Sequence, residues 1–109
     1  MIDVKNLENY KIEISYLVNG EKLGYVIIEV LDTINIIDVF VKESYRGRGI
    51  SKILFDYLFN NYKNVRFMLE VRSKNFVAIN LYESYNFKTI YVREKYYKDD
   101  DALIMEADN

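Results

Sequence analysis

The chain has 109 residues, half of them hydrophobic and 29% charged, which suits one folded domain with a single core. It contains no cysteine and no histidine. That excludes disulfides, thiolate nucleophiles, the serine–histidine triad and the usual zinc sites, and leaves acid–base chemistry to Asp, Glu, Lys and Tyr.

A formal net charge of −2 argues against a nucleic-acid partner held by a broadly basic surface. Met1–Tyr10 carries charges throughout and has no apolar centre, so it does not read as a signal peptide. No run approaches the roughly 18 apolar residues of a membrane span. A cytosolic protein without a membrane partner is expected.

Lys11–Val18 alternates in part and reads as a strand. Asn19-Gly20 is the strongest hairpin signal in the chain, leading into a returning strand at Lys22–Leu31. Asp32-Thr33 then turns into Ile34–Val41, completing an antiparallel meander. Its last two strands are apolar at successive positions, which predicts burial on both faces.

Residues 45–52, Tyr-Arg-Gly-Arg-Gly-Ile-Ser-Lys, join that strand to a helical run over residues 50–62. Glycines let a backbone approach a ligand, and free N–H groups at a helix start favour an anion. Arg46, Arg48 and Lys52 add full charges suited to phosphate. The helix carries an apolar stripe of Ile50, Ile53, Leu54, Tyr57 and Leu58.

Val65–Arg72 alternates cleanly, with Val65, Phe67, Leu69 and Val71 on one face and Glu70 on the other. A second helix is predicted from about Phe76 to Tyr85, capped by Asn75 and ended by Asn86, with Val77, Ala78, Leu81, Tyr82 and Tyr85 as its stripe. Two strands at Lys88–Tyr96 and Ala102–Ala107 close the chain around the acidic run Asp99–Asp101. The order βββ-α-β-α-ββ implies an α+β or mixed sheet flanked by helices.

This order resembles the Gcn5-related N-acetyltransferase (GNAT) superfamily, and within it the RimI-type enzymes that acetylate protein N-termini. The resemblance covers roughly residues 34–106. It is carried by Arg46-Gly47-Arg48-Gly49-Ile50-Ser51, Leu69-Glu70-Val71-Arg72, Asn75, Ala78, Leu81-Tyr82-Glu83-Ser84, Tyr96-Tyr97 and Asp101-Ala102. The Arg-to-Ser segment resembles the superfamily's pyrophosphate motif, although Ser51 stands where glycine or alanine is usual.

The resemblance implies acetyl-CoA as co-substrate and no metal. Val39-Phe40-Val41 would pair with its pantetheine arm, and Asn75 would contact the same arm. Glu70 would be the general base and Tyr82 the general acid. The chemistry agrees: an amine must lose a proton to attack a thioester, and the departing sulfur must gain one. Read without the resemblance, Glu70 is a solvated outer-face residue, Tyr82 a core tyrosine and Asn75 a cap. Arg72 could pair with a substrate carboxylate or with Glu83.

The implied activity is transfer of acetyl to a primary amine, first a protein or peptide N-terminal α-amine. A polyamine-like small amine is the alternative, favoured by Asp99–Asp101, and a non-catalytic acyl-CoA- or partner-binding domain is the other. Superfamily members usually have a strand and two helices ahead of the region resembling Lys11–Leu31, and about ten residues are too few for two helices. The expectation is therefore a single domain, residues 1–109, without those elements, whose uncovered sheet would be met by a second copy or a partner chain.

Overall fold

A computed structural model describes residues 1–109. Seven strands form one sheet: β1 (Ile2–Asn6), β2 (Lys11–Val18), β3 (Glu21–Val30), β4 (Ile34–Val41), β5 (Arg66–Arg72), β6 (Lys88–Tyr97) and β7 (Asp100–Asp108). Two helices, α1 (Ile50–Asn61) and α2 (Phe76–Ser84), connect β4 to β5 and β5 to β6. The spatial order is β1-β2-β3-β4-β5-β7-β6, parallel only between β4 and β5. No helix is long and apolar enough to cross a membrane.

The expected mixed, mostly antiparallel sheet is therefore present. The strand β1 is an addition: Ile2–Asn6 pairs antiparallel with Asn6↔Ile12 through Ile2↔Tyr16. Its charged side chains gave no sequence signal, because it is an edge strand with one apolar residue half-buried.

The core lies on one face of the sheet. Val26, Ile28, Ile34, Ile36, Phe67, Leu69 and Met105 meet Leu54, Phe55 and Leu58 of α1. Phe59 stacks on Phe67 at 4.5 Å between ring centres, tying α1 to β5. The helices join each other through Phe55, which stacks on Tyr82 at 5.7 Å and meets Tyr85 at 5.4 Å.

Three expectations of packing change. Ile53 is 38% exposed, and Phe55 replaces it on the buried side of α1. Val77 is 85% exposed, so α2 buries only Tyr82 fully, with Ala78 and Leu81 partly covered. The meander is not buried on both faces either: Ile37, Asp38 and Phe40 are exposed on the side away from the helices.

Gly24 permits the closest approach in the meander. A Cβ there would stand 2.9 Å from the Phe40 carbonyl oxygen and 3.0 Å from Ile50 Cγ2. Gly24→Ala should therefore destabilise the fold by about 1–3 kcal/mol, read as a lowered denaturant midpoint.

Tyr85, just beyond α2, donates to Asp56 Oδ1 at 2.6 Å and to the Lys52 carbonyl at 3.1 Å, clamping the two helices. Burial, then the bond to Asp56, raises its phenol well above the ordinary tyrosine range. The folded chain thus holds this proton more tightly than the unfolded one. That stability is present below about pH 10, where an unfolded tyrosine titrates, and is lost as pH climbs above it. Tyr85→Phe should cost about 1 kcal/mol at neutral pH, and the gap from wild type should narrow in melts recorded above pH 10.

Candidate active site

The site begins where two strands part. The β4–β5 ladder contains only Ile34↔Phe67 and Asn35↔Met68, although each strand runs on for several residues. The cause is visible in the β3–β4 register, which jumps from Ile28↔Ile36 to Ile27↔Asp38 and leaves Ile37 as an extra residue. Such a bulge bends its strand and sharpens the twist. Beyond it, Asp38–Val41 and Leu69–Arg72 splay into a wedge with unpaired backbone edges.

An anion cradle closes the mouth of this wedge. After β4 a short 3-10 turn, Glu43–Tyr45, leads into Arg46–Gly49. Gly47 and Gly49 adopt φ of +75° and +82°, with open space where a Cβ would stand. Gly49 is also the N-cap of α1, so no side chain occupies the first-turn N–H groups, and that turn holds no acid. These donors and their dipole are available to phosphate. The cradle therefore suits the diphosphate of the acetyl-CoA expected from the sequence.

Around the cradle, the Arg46 Nε donates to the Val41 carbonyl at 3.0 Å, and the Arg48 guanidinium lies 5.3 Å from the Tyr45 ring centre. Lys52 bonds Asp56 at 3.0 Å, so its charge is partly matched. The Ile50 side chain is in the core, leaving its backbone N–H for a ligand. Ser51 is half-buried in the first turn. Val39 and Val41 are half-buried with Phe40 exposed between them. Asn75 is a cap, its Oδ1 accepting from the Ala78 N–H at 3.2 Å.

Glu70 and Tyr82 enter from different directions. On β5, Glu70 faces away from the helices, with Leu69 and Val71 buried on either side. Its Oε2 accepts from Tyr97 Oη at 3.0 Å, and its Oε1 lies 3.5 Å from Arg93. Both partners come from β6. Tyr97 is held in turn by the Arg72 guanidinium, 4.0 Å from its ring centre, while Arg72 pairs with Asp99 at 3.0 Å and not with Glu83.

Tyr82 is 8% exposed, packed against Phe55 and Phe87. No hydrogen bond within the chain engages its hydroxyl. Burial, and secondarily the charge of Asp38, push its phenol above the ordinary range. It therefore keeps its proton at neutral pH, as a proton donor must.

Of the acidic run, Asp99 stands exposed in the turn before β7, while Asp100 and Asp101 open that strand. Asp100 is buried, accepting from the Ser73 hydroxyl and, at 3.0 Å, from the Lys74 N–H. Asp101 accepts from the Lys95 N–H at 2.8 Å. Asp101 thus ties β7 to β6, and Asp100 ties it to the turn that follows β5. Sequence reasoning missed Asp38, Arg93 and the Tyr97–Glu70 bond. Asp38 had a signal, as the lone charge within the apolar run Ile34–Val41; the others depend on strand pairing distant in sequence. A shallow depression lined by Asp32, Thr33, Arg66 and Asp108 lies at the other end of the sheet, away from these groups.

Residues 5–87 match the model of the acetyltransferase (GNAT) family. The chain is 38% identical over 76 residues to an N-alpha-acetyltransferase of Saccharolobus solfataricus, covering 65% of this chain and 46% of that protein. It is 32% identical over 95 residues to the ribosomal protein bS18-alanine N-acetyltransferase of Escherichia coli, covering 80% of this chain and 64% of that protein. It thus spans about half to two thirds of these relatives. The crystal structure of the Escherichia coli ribosomal-protein-S18-alanine N-acetyltransferase superposes with a TM-score of 0.85 at 30% identity, over 92% of this chain and 70% of that one.

Proposed function

Because the chain belongs to the acetyltransferase (GNAT) family, we propose that it moves acetyl from acetyl-CoA to a primary amine, specifically the α-amine of a protein or peptide N-terminus. The observation that carries this reading is the wedge between β4 and β5 with an anion cradle at its mouth, beside a buried tyrosine on α2 that feels the charge of Asp38. The names of the two relatives support the acceptor class.

When bound, acetyl-CoA supplies the activated acyl group. The backbone from Gly47 to Ser51, with Arg46 and Arg48, would hold its diphosphate. The open edge at Val39–Val41, apart from the Val41 carbonyl that Arg46 holds, would offer backbone groups to its pantetheine arm, with Asn75 across the wedge.

Glu70 takes the proton from the acceptor amine, directly or through water. An α-amine titrates near 8, so one proton acceptor suffices near neutral pH, whereas a lysine amine near 10.4 is a harder acceptor. Tyr97 and Arg93 hold the Glu70 carboxylate in place. Tyr82 holds a proton for the departing sulfur. Covalent catalysis by the chain is not needed, in keeping with the absence of cysteine and histidine.

A small polyamine is less well supported, because the acidic run that favoured it is engaged by Ser73, Lys74, Lys95 and Arg72. The test is mass spectrometry of a mixed panel of free-amine peptides and polyamines after incubation with protein and acetyl-CoA. One acetyl on a peptide α-amine is expected. Modification of polyamines alone would overturn the acceptor class, and no modification by protein that binds acetyl-CoA would overturn the activity.

A further inference from the structure

We propose that the Asp38 carboxylate seats the acceptor's ammonium group and so sets the preference for a cationic amine. This rests on the acetyltransfer reading above and adds a binding residue to it.

The bulge at Ile37 fixes the position of Asp38. It brings Asp38 opposite Ile27, on the sheet face away from the helices, immediately past the point where β4 leaves β5. Glu70 lies on the same face of the opposing strand. Asp38 is exposed there, and it is the one charged residue of a strand whose other members are Ile, Val, Phe and Asn35.

The chain itself supplies only a neutral one. Tyr25 Oη donates to Asp38 Oδ2 at 3.0 Å, which fixes the carboxylate's orientation. No lysine or arginine pairs with it, and Oδ1 has no donor within the chain. The nearby acids differ: Glu70 has Arg93 and Tyr97, and Asp99 has Arg72. Asp38 is thus the carboxylate at the wedge whose charge the chain leaves unmatched.

Its surroundings suit an ammonium. Tyr25 and Phe40 stack at 5.4 Å beside it. Lys22, which pairs with Glu13, lies 5.7 Å from the Tyr25 ring centre, and the exposed Phe40 ring is the aromatic surface left to attract a ligand's cation. Asp38 also acts on the Tyr82 hydroxyl through its charge, so a cation bound there would lie within electrostatic reach of the proton donor. Asp38 binds and Glu70 removes the proton; the two carboxylates divide the work by whether a cation of the chain already holds them.

The test is a KM-against-kcat comparison with a peptide bearing a free N-terminal amine, using wild type, Asp38→Asn and Glu70→Gln. Asp38→Asn keeps an acceptor for Tyr25 and removes the charge. It should raise the peptide KM about 10-fold or more, the worth of a charge-assisted hydrogen bond, with kcat within about 3-fold and the acetyl-CoA KM unchanged. An unchanged peptide KM, or a loss confined to kcat, would overturn the proposal. If wild type acetylates no amine, the transfer reading fails, and binding still decides this inference. Carboxylate carbon NMR of the CoA-saturated protein should show Asp38 shifting with the free-amine peptide and not with its Nα-acetylated form. No shift at Asp38 would overturn the proposal independently of activity.

Discussion

Glu70→Gln is expected to lower kcat about 100-fold or more at neutral pH while leaving acetyl-CoA affinity within about 2-fold, as general-base catalysis contributes on that scale. The geometry makes this substitution informative. Glutamine is isosteric, and its carbonyl oxygen can still accept from Tyr97. What it loses is basicity and the charge 3.5 Å from Arg93, in a pair whose side chains are 48% and 33% exposed. An ion pair that open to water contributes about 0–1 kcal/mol, so the variant should stay folded. Steady-state rates with calorimetric acetyl-CoA binding check both halves. Retained turnover would remove Glu70 from the mechanism.

Tyr82→Phe should lower kcat by a similar order, about 100-fold, with almost no loss of stability. Buried tyrosines usually lose a hydrogen bond on conversion to phenylalanine, but no hydrogen bond of the chain engages this hydroxyl. The ring contacts with Phe55 and Phe87 remain. The pH profile supplies a second reading. Burial and Asp38 hold the Tyr82 proton above the ordinary tyrosine range, so the alkaline limb due to the donor should fall above about pH 10 in wild type and vanish in Tyr82→Phe. An unchanged profile and rate would assign Tyr82 to the core alone.

The two residues also show how far the sequence could be read. Leu69-Glu70-Val71-Arg72 is an alternating strand in isolation, and alternation alone sends Glu70 to the solvent side, which is where it lies. The bond that holds it comes from Tyr97, 27 positions away across the β6–β7 pairing, and no local pattern encodes that register. The Arg46–Gly49 turn was legible because its conformation is local: two glycines at positive φ before a helix need only their neighbours.

Packing was legible less evenly. In α1 the stripe differs in that Phe55 is buried and Ile53 is not: both are apolar, and the side that reaches β5 is chosen by the Phe59–Phe67 stack. The strand β1 was invisible because pairing to β2, and not burial, holds it. The wedge itself depends on a single extra residue, Ile37, which is itself a good strand former and follows another, Ile36. A bulge has no compositional mark when the inserted residue is a good strand former.

The central claim is transfer of acetyl to a free α-amine, and its most direct test is the initial rate of CoA thiol release with a matched peptide pair, one N-terminus free and the other already acetylated. We predict thiol release that saturates with the free-amine peptide, stays at background with the blocked one, and tracks formation of acetylated product. Equal release with both peptides, or none with either from protein that binds acetyl-CoA, would contradict it.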